Sequence, residues 1–143
     1  MSVKEALEST AKNLKKWQKI ENAAVRQTAL IMEQSDHPVI RMVAEIINHD
    51  SQLHYRVQQL LIDSIEKSAV NIDYRQLAKV WTSIEEHIEL EKQTIALAKK
   101  SLESLKGTKN PVQQYFLEYL KADEEKHDLL LEKLSLIKLK MYP

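Results

Sequence analysis

Residues 111–137, PVQQYFLEYLKADEEKHDLLLEKLSLI, decide the fold, because their apolar side chains recur three and four positions apart. This spacing predicts a helix with one face buried against other helices. The predicted face consists of Phe116, Leu120, Asp123, His127, Leu130, Leu134 and Ile137. Asp123 and His127 interrupt it at mid-length and lie one helical turn apart, so both side chains point the same way. We therefore predict a core-facing helix with ionisable groups at its centre.

Three further helices are predicted from capping residues and breaks. Ser2 opens a capping box for a first helix, which can run to about residue 34. Pro38 is tolerated only in a first turn, so it begins a second helix that runs to about residue 67. Asp73 caps a third helix, which ends before Gly107, a residue suited to a left-handed helix end. Asn110 precedes the proline that begins the fourth helix.

The composition agrees with an all-helical chain. Its 143 residues include one glycine, three prolines and no cysteine, which leaves little to build turns between strands. We predict an all-α fold, an antiparallel four-helix bundle in which residues 1–143 form a single domain.

The absence of cysteine excludes thiolate metal sites and iron–sulfur clusters. The formal net charge of zero gives no reason to expect nucleic acid as a partner. No apolar run has the length of a membrane span or a signal peptide, so we expect a cytoplasmic protein without membrane contact.

The two halves of the sequence are similar, which predicts a duplicated helical hairpin. A shift of 73 positions places Asp50 on Asp123 and His54 on His127, and a shift of 70 positions places Glu21 on Glu91. Only a handful of residues connects the second and third helices. Such a connection fits a simple up-down-up-down order, although a crossover along the bundle could just be spanned if the second helix ended early and the third began late.

Every predicted buried stripe is apolar at both ends and ionisable near its middle. Besides the stripe of the fourth helix, the predicted stripes are Leu7, Ala11, Leu14, Gln18, Glu21, Val25, Thr28 and Met32 in the first helix, Ile40, Val43, Ile47, Asp50, His54, Val57 and Leu61 in the second, and Leu77, Trp81, Ile84, Ile88, Glu91, Ile95, Ala98, Leu102 and Leu105 in the third. The interrupting residues are Glu21 on the first helix, Asp50 and His54 on the second, Glu91 on the third, and Asp123 and His127 on the fourth. Buried carboxylates without partners cost several kcal/mol each, and several at one level repel one another. A divalent or trivalent cation removes this conflict. Oxygen-rich ligation with two imidazoles predicts iron or manganese, with zinc as a further alternative.

With these residues in place, the sequence resembles the ferritin-like family of carboxylate-bridged di-iron proteins, and the rubrerythrin type in particular. The family pattern is a glutamate on two helices and Glu-x-x-His on the two others. Glu124 and His127 match Glu-x-x-His on the fourth helix, and Glu21 and Glu91 match the single glutamates. Ser51 departs from the pattern, because it stands where the second helix should carry a glutamate.

Two arrangements remain open for the aspartates. In the first, Asp50 replaces the missing ligand, Asp123 is its symmetric mate, and Glu124 is an additional or bridging ligand. In the second, the two aspartates orient the imidazoles from outside the ligand set, and the site is weakened or mononuclear. His87 lies one turn before Glu91, and we interpret it as a surface residue rather than a ligand.

The resemblance implies a dinuclear iron site with redox chemistry toward dioxygen or peroxide, ferrous iron oxidation, or metal sequestration. No residue identifies an organic substrate or a catalytic role, so whether the protein is an enzyme stays open. The alternative is a non-catalytic helical interaction module with a polar core layer. In that case outer helix faces would contact a partner or a second copy, forming a homodimer. A network of Asp, His and Glu without metal is the other alternative for the polar layer itself.

Overall fold

The computed structural model describes residues 1–141, which form four helices and no strand. The helices are α1 (Val3–Gln34), α2 (Pro38–Glu66), α3 (Tyr74–Ser104) and α4 (Pro111–Met141). Helices α1 and α2 pack against each other in one compact unit, Met1–Val70, and α3 and α4 pack in a second unit that begins at Asn71. The predicted all-α class and the two helical hairpins are confirmed. The single-domain assignment and the up-down-up-down order stay predictions.

The helix ends lie close to the predicted positions because local capping interactions fix them. The Ser2 hydroxyl accepts a hydrogen bond from the Glu5 backbone N–H at 3.1 Å, and the Glu5 carboxylate accepts one from the Ser2 backbone N–H at 2.8 Å. The Asp73 carboxylate accepts from the Arg75 backbone N–H at 2.9 Å and caps α3. Gly107 has a φ of 77°, which allows the chain to turn after α3 at little steric cost.

In the first hairpin, the buried face of α1 is the predicted one, but the buried face of α2 is offset. Helix α1 buries Ala11, Leu14, Gln18, Glu21 and Thr28. Helix α2 buries Ala44, Ser51, Gln58 and Ile62. The predicted α2 stripe lies mainly one position earlier and leaves apolar residues such as Ile47 and Val57 about half exposed, at 46% and 50%. Small residues such as Ala44 and Ser51 allow α1 and α2 to approach closely, and this favours the observed face.

In the second hairpin, the predicted stripe of α3 is confirmed. Leu77, Glu91 and Ala98 are buried, and the other members of the stripe are half-buried. Along α4 the residues near the α3 stripe, including Asp123, Glu124 and His127, are half-buried. Leu120 and Leu130 of the predicted α4 stripe are exposed. Glu91 therefore lies on the inner face of this hairpin.

None of the helices in the described residues combines the length and the apolar composition needed to cross a membrane. Charged residues recur along each helix, on the faces opposite the buried stripes.

Candidate metal site

Helices α3 and α4 bring Glu91, Glu124 and His127 together. Glu124 and His127 are three positions apart on α4, so they lie on neighbouring parts of one helix surface. Glu91 occupies the centre of the buried α3 stripe and faces them from the other helix. One ligand atom from each of the three residues lies within 4.8 Å of the other two. Ligands of a transition metal lie about 2 Å from the ion and up to about 4 Å from each other, so side-chain shifts of less than about 1 Å would close the cluster around an ion.

The imidazole of His127 lies between three carboxylates. Its Nδ1 atom is 3.5 Å from Oε1 of Glu91 and 3.5 Å from Oε2 of Glu124. Its Nε2 atom faces the other way and lies 3.4 Å from Oδ2 of Asp123. An Asp carboxylate near Nε2 favours the tautomer with hydrogen on Nε2, which leaves the Nδ1 lone pair directed at the two glutamates. Nδ1 is therefore the atom available to a cation.

Asp123 contacts the far side of the imidazole and pairs with a lysine. Its Oδ1 atom lies 2.7 Å from Nζ of Lys126, in addition to the contact between Oδ2 and His127. An aspartate engaged in this way supports the ring but does not face the space enclosed by the two glutamates. The contact of Asp123 with His127 resembles the second predicted arrangement, in which the aspartates orient the imidazoles, and the choice between the two arrangements stays a prediction.

Glu91 is the most deeply buried member of the cluster, with 5% of its surface exposed. Its Oε1 atom lies near two imidazoles, at 2.7 Å from Nε2 of His87 and 3.5 Å from Nδ1 of His127. Its Oε2 atom is buried and accepts no hydrogen bond from an N–H or hydroxyl group in the described part of the chain. A buried polar atom without a partner costs free energy unless another group, such as a cation, satisfies it. Oε2 therefore marks the place where the cluster lacks positive charge.

The two carboxyl groups of the cluster have pKa values that move apart. A hydrogen bond shared with Glu124 lowers the pKa of Glu91, and the nearby His87 and His127 lower it further against the effect of burial. The same hydrogen bond, together with burial and the charge of Glu91, raises the pKa of Glu124. Two adjacent carboxylates cannot both ionise without mutual repulsion, so the proton stays on Glu124 to a higher pH. A bound cation would relieve this repulsion.

His87 is exposed, as predicted, but it also contacts this cluster, and that contact was not predicted from the sequence. Its side chain is 55% exposed, yet Nε2 reaches the buried Glu91 carboxylate at 2.7 Å. The relevant signal was the His-x-x-x-Glu spacing, which places both side chains on one helix face. Burial of the glutamate makes this contact more than an ordinary pair of exposed residues.

The first hairpin contains a similar group of buried polar residues with fewer possible metal ligands. Glu21 is buried, with 6% of its surface exposed, and Nδ1 of His54 lies 3.3 Å from its Oε1 atom. The Gln58 amide donates to the same oxygen at 3.4 Å, whereas Oε1 of Gln58 is buried without a hydrogen bond. Ser51, at the position that matches Glu124, is also buried. The Glu–His contact is thus repeated in both hairpins, but the second carboxylate is present only in the hairpin of α3 and α4.

The seven predicted site residues therefore divide into distinct groups. Glu91, Glu124 and His127 form one cluster, with Asp123 behind the imidazole. Glu21 and His54 form a pair in the other hairpin. Asp50 is half-buried and makes no ion pair or side-chain hydrogen bond within the described residues. Trp17, which lies one turn before Glu21, is 54% exposed.

No protein-family model matches this chain, and neither the curated proteins nor the solved structures include a significantly similar one. The resemblance to ferritin-like proteins therefore rests on the residues described above and stays a prediction.

Proposed function

We propose that this protein binds a transition-metal ion through Glu91, Glu124 and His127. The observation that supports this most strongly is the convergence of three ligand atoms within 4.8 Å beside a buried carboxylate oxygen that accepts from no N–H or hydroxyl group of the described residues. Two carboxylates and one neutral imidazole carry two negative charges and match the preferences of Fe²⁺ or Mn²⁺, with Zn²⁺ as a further candidate. Asp123 would hold the imidazole so that Nδ1 faces the ion.

We further propose iron as the physiological metal and a second, weaker binding position in the first hairpin. Glu21 and His54 would be its ligands, and the unpartnered Oε1 of Gln58 offers a third. Asp50 would have to change its side-chain conformation to take part. This position has one carboxylate where the second hairpin has two, so it would hold an ion less tightly. The missing carboxylate is the direct consequence of serine at position 51.

Iron held by carboxylates and imidazole supplies one-electron chemistry toward dioxygen or peroxide. The residues of this chain would bind the ion and keep a negative charge beside it. Cysteine is absent, so a cysteine-ligated electron-transfer centre cannot form, and any peroxide reduction would need an external reductant.

The test is metal content after purification from cells grown with iron and manganese. We expect metal to accompany the wild-type chain and to be lost in His127→Ala and Glu124→Gln, because each removes one of three ligands. His49→Ala is the matched control, since His49 is an exposed histidine of α2. Equal metal content in all four proteins would contradict the assignment, as would a wild-type protein that takes up no iron or manganese from solution.

A second candidate function is a helical interaction module without metal. The observation in its favour is the number of exposed apolar side chains within each hairpin, including Leu53, Val57 and Leu60 in the first and Leu90, Leu97 and Leu130 in the second. Exposed apolar patches mark contact surfaces when they are contiguous. Light scattering of the metal-free and metal-loaded protein separates the two functions. Self-association without any metal uptake would favour the interaction module.

A further inference from the structure

His87 makes the shortest contact to the buried carboxylate of Glu91. Its Nε2 atom lies 2.7 Å from Oε1 of Glu91, one helical turn further along α3. The carboxylate of Glu91 is an acceptor only, so the imidazole donates Nε2–H in this contact. A donor at this distance from a charged acceptor forms a short charge-assisted hydrogen bond.

The contact leaves the two oxygens of Glu91 in different surroundings. Oε1 accepts from His87 and lies 3.5 Å from Nδ1 of His127, whereas Oε2 is buried and accepts from no N–H or hydroxyl group among the described residues. A carboxylate held by one oxygen can rotate little about its terminal torsion. The hydrogen bond therefore keeps Oε1 bonded to His87 and leaves Oε2 available to an ion.

The exposure of His87 does not reduce this contact to an ordinary surface pair. Exposed pairs at this spacing contribute little to stability, because both partners lose side-chain freedom and water competes for them. Here only the histidine is exposed, and the Glu91 side chain is 7% exposed. The imidazole therefore reaches from the surface of α3 to a carboxylate that little water can contact.

The first hairpin orients its glutamate without a histidine at this place. The position that matches His87 is Trp17, which is 54% exposed. There the amide of Gln58, on the other helix, donates to Oε1 of Glu21. A histidine one turn before the buried glutamate is thus specific to the hairpin that has both carboxylates.

His87 is also separate from the ligand cluster itself. The atoms that converge within 4.8 Å belong to Glu91, Glu124 and His127 and do not include the His87 ring. Carboxylates that bind metal ions are commonly hydrogen-bonded by residues outside the ligand set, and loss of such a residue typically weakens binding 10- to 100-fold.

We propose that His87 is a positioning residue of the metal site, donating Nε2–H to Oε1 of Glu91 and thereby presenting Oε2 to the ion. This inference rests on the proposed metal site and adds a residue that does not bind the ion directly. It predicts that the hydrogen-bond donor at this position matters and that the imidazole as such does not.

The test compares Co²⁺ affinity in metal-stripped wild-type protein, His87→Ala, His87→Gln and the control His49→Ala. We expect His87→Ala to bind about 10-fold more weakly or worse, because Oε1 of Glu91 loses the N–H donor that fixes it. The amide nitrogen of His87→Gln reaches about as far as Nε2 of histidine, so this variant should retain affinity within about threefold. His49→Ala should match the wild type. Circular dichroism of each metal-free protein checks that all four remain helical.

The paramagnetic NMR spectrum of the Co²⁺-loaded wild type adds a readout that overall stability would not change. We expect strongly shifted exchangeable signals from one coordinated imidazole, that of His127. Signals from a second imidazole that disappear in His87→Ala would overturn the proposal, because His87 would then be a ligand. Equal affinity of wild type and His87→Ala would also overturn it, as would a Gln variant as weak as the Ala variant. If the wild type binds no Co²⁺, Fe²⁺ or Mn²⁺, the metal site itself fails, and this result differs from all the others.

Discussion

The side chain at one position separates the two hairpins chemically. Glu124 in α4 adds a carboxylate beside the buried Glu91, whereas its counterpart in α2 is Ser51. The hydrogen bond between the two carboxyl groups raises the pKa of Glu124 and lowers the pKa of Glu91. In the absence of a cation this arrangement is unfavourable at neutral pH. Sites selected for binding often carry such a conflict, since residues that favour function can reduce stability.

Glu124→Gln should therefore stabilise the metal-free protein while weakening metal binding. The amide removes the like charge and can donate a hydrogen bond to Glu91, so we expect the free energy of unfolding at pH 7 to rise by up to about 1 kcal/mol. Loss of a ligand should reduce metal affinity at least about 10-fold. Urea unfolding in the presence of a chelator and direct metal titration measure the two effects. Glu89→Gln, an exposed glutamate of α3, is the control. A less stable variant, or one with unchanged affinity, would argue against the site.

Metal binding should displace a proton from Glu124. Its raised pKa means that the metal-free protein keeps this proton to a higher pH than an ordinary glutamate, so metal affinity should increase as the pH rises through that pKa. In the metal-free protein the stabilising contribution of Glu124 is present at low pH and declines over the same interval. The contribution of Glu91 has the opposite sign, because its pKa is lowered, and is lost as the pH falls through that lowered pKa.

Infrared difference spectra can detect this proton directly. In mildly acidic buffer, addition of metal should remove the carbonyl-stretch band of a protonated carboxyl group in the wild type. A spectrum in which no such band disappears, although metal binds, would show that Glu124 is already ionised and that the shared proton is absent.

Much of the candidate site could be predicted at this scale, because local spacing carries the signal. Glu-x-x-His fixes the relation of Glu124 and His127 on one helix, and the break in an apolar stripe identifies Glu91. The partners of these residues are harder to predict. Whether Asp123 faces an ion or the back of His127 depends on side-chain conformation, and whether the exposed His87 also contacts Glu91 depends on how deeply the glutamate is buried.

At the scale of elements, the helix ends were predictable and the buried face of α2 was only partly so. Capping by Ser2 and Asp73 and the positive φ of Gly107 are local interactions, which a sequence reveals directly. The face of α2 that meets α1 depends on the packing of two whole surfaces. The apolar stripe of α2 includes residues such as Ile47 that α1 does not cover, so hydrophobicity alone indicated a neighbouring face.

Polar contacts between α1 and α2 fix the offset of the first hairpin. The Asn48 amide donates to the Val25 carbonyl at 3.0 Å and to the Thr28 hydroxyl at 2.9 Å. The Gln18 amide donates to the Tyr55 carbonyl at 3.3 Å. These bonds connect the helices at levels on either side of Glu21. They therefore hold Glu21 and the α2 residues that face it in a defined register.

Asn48→Ala should destabilise the first hairpin. Both interhelical hydrogen bonds are half-buried, so we expect a loss of about 1–2 kcal/mol in the free energy of unfolding. Hydrogen exchange of the amides in α1 and α2 measures this loss where it should occur. The neighbouring His49→Ala is exposed and should change stability by less than about 0.5 kcal/mol. Equal protection of these amides in both variants would mean that apolar packing alone sets the register.

The chain as a whole consists of two hairpins that share a contact between a buried glutamate and a histidine but differ in the number of carboxylates beside it. The Nδ1–Oε1 distance is 3.3 Å for His54 and Glu21 and 3.5 Å for His127 and Glu91. This similarity agrees with the predicted duplication of a helical hairpin. It also shows why matching residue types alone cannot decide how many ions bind, since the number of carboxylates at each level differs.

Ser51→Glu should give the first hairpin a ligand set like that of the second. Together with Glu21 and His54, the introduced carboxylate should tighten the weaker position at least about 10-fold. The metal-free protein should lose about 1–3 kcal/mol of stability, because position 51 is buried and the new charge lies beside Glu21. Equilibrium dialysis at limiting iron gives the stoichiometry. Ser68→Glu, at an exposed serine after α2, is the control. If this variant binds no more metal than the control, positions 21, 51 and 54 are not equivalent to positions 91, 124 and 127.

An anomalous difference map from crystals grown with Fe²⁺ or Mn²⁺ would show whether Glu91, Glu124 and His127 hold a metal ion. We expect a strong peak about 2.0–2.2 Å from an oxygen of Glu91, an oxygen of Glu124 and Nδ1 of His127, with His87 on the other oxygen of Glu91. A weaker peak near Glu21 and His54 would agree with the proposed second position. Crystals saturated with metal that show no peak at the three residues, or a peak only elsewhere on the chain, would contradict the proposed metal site.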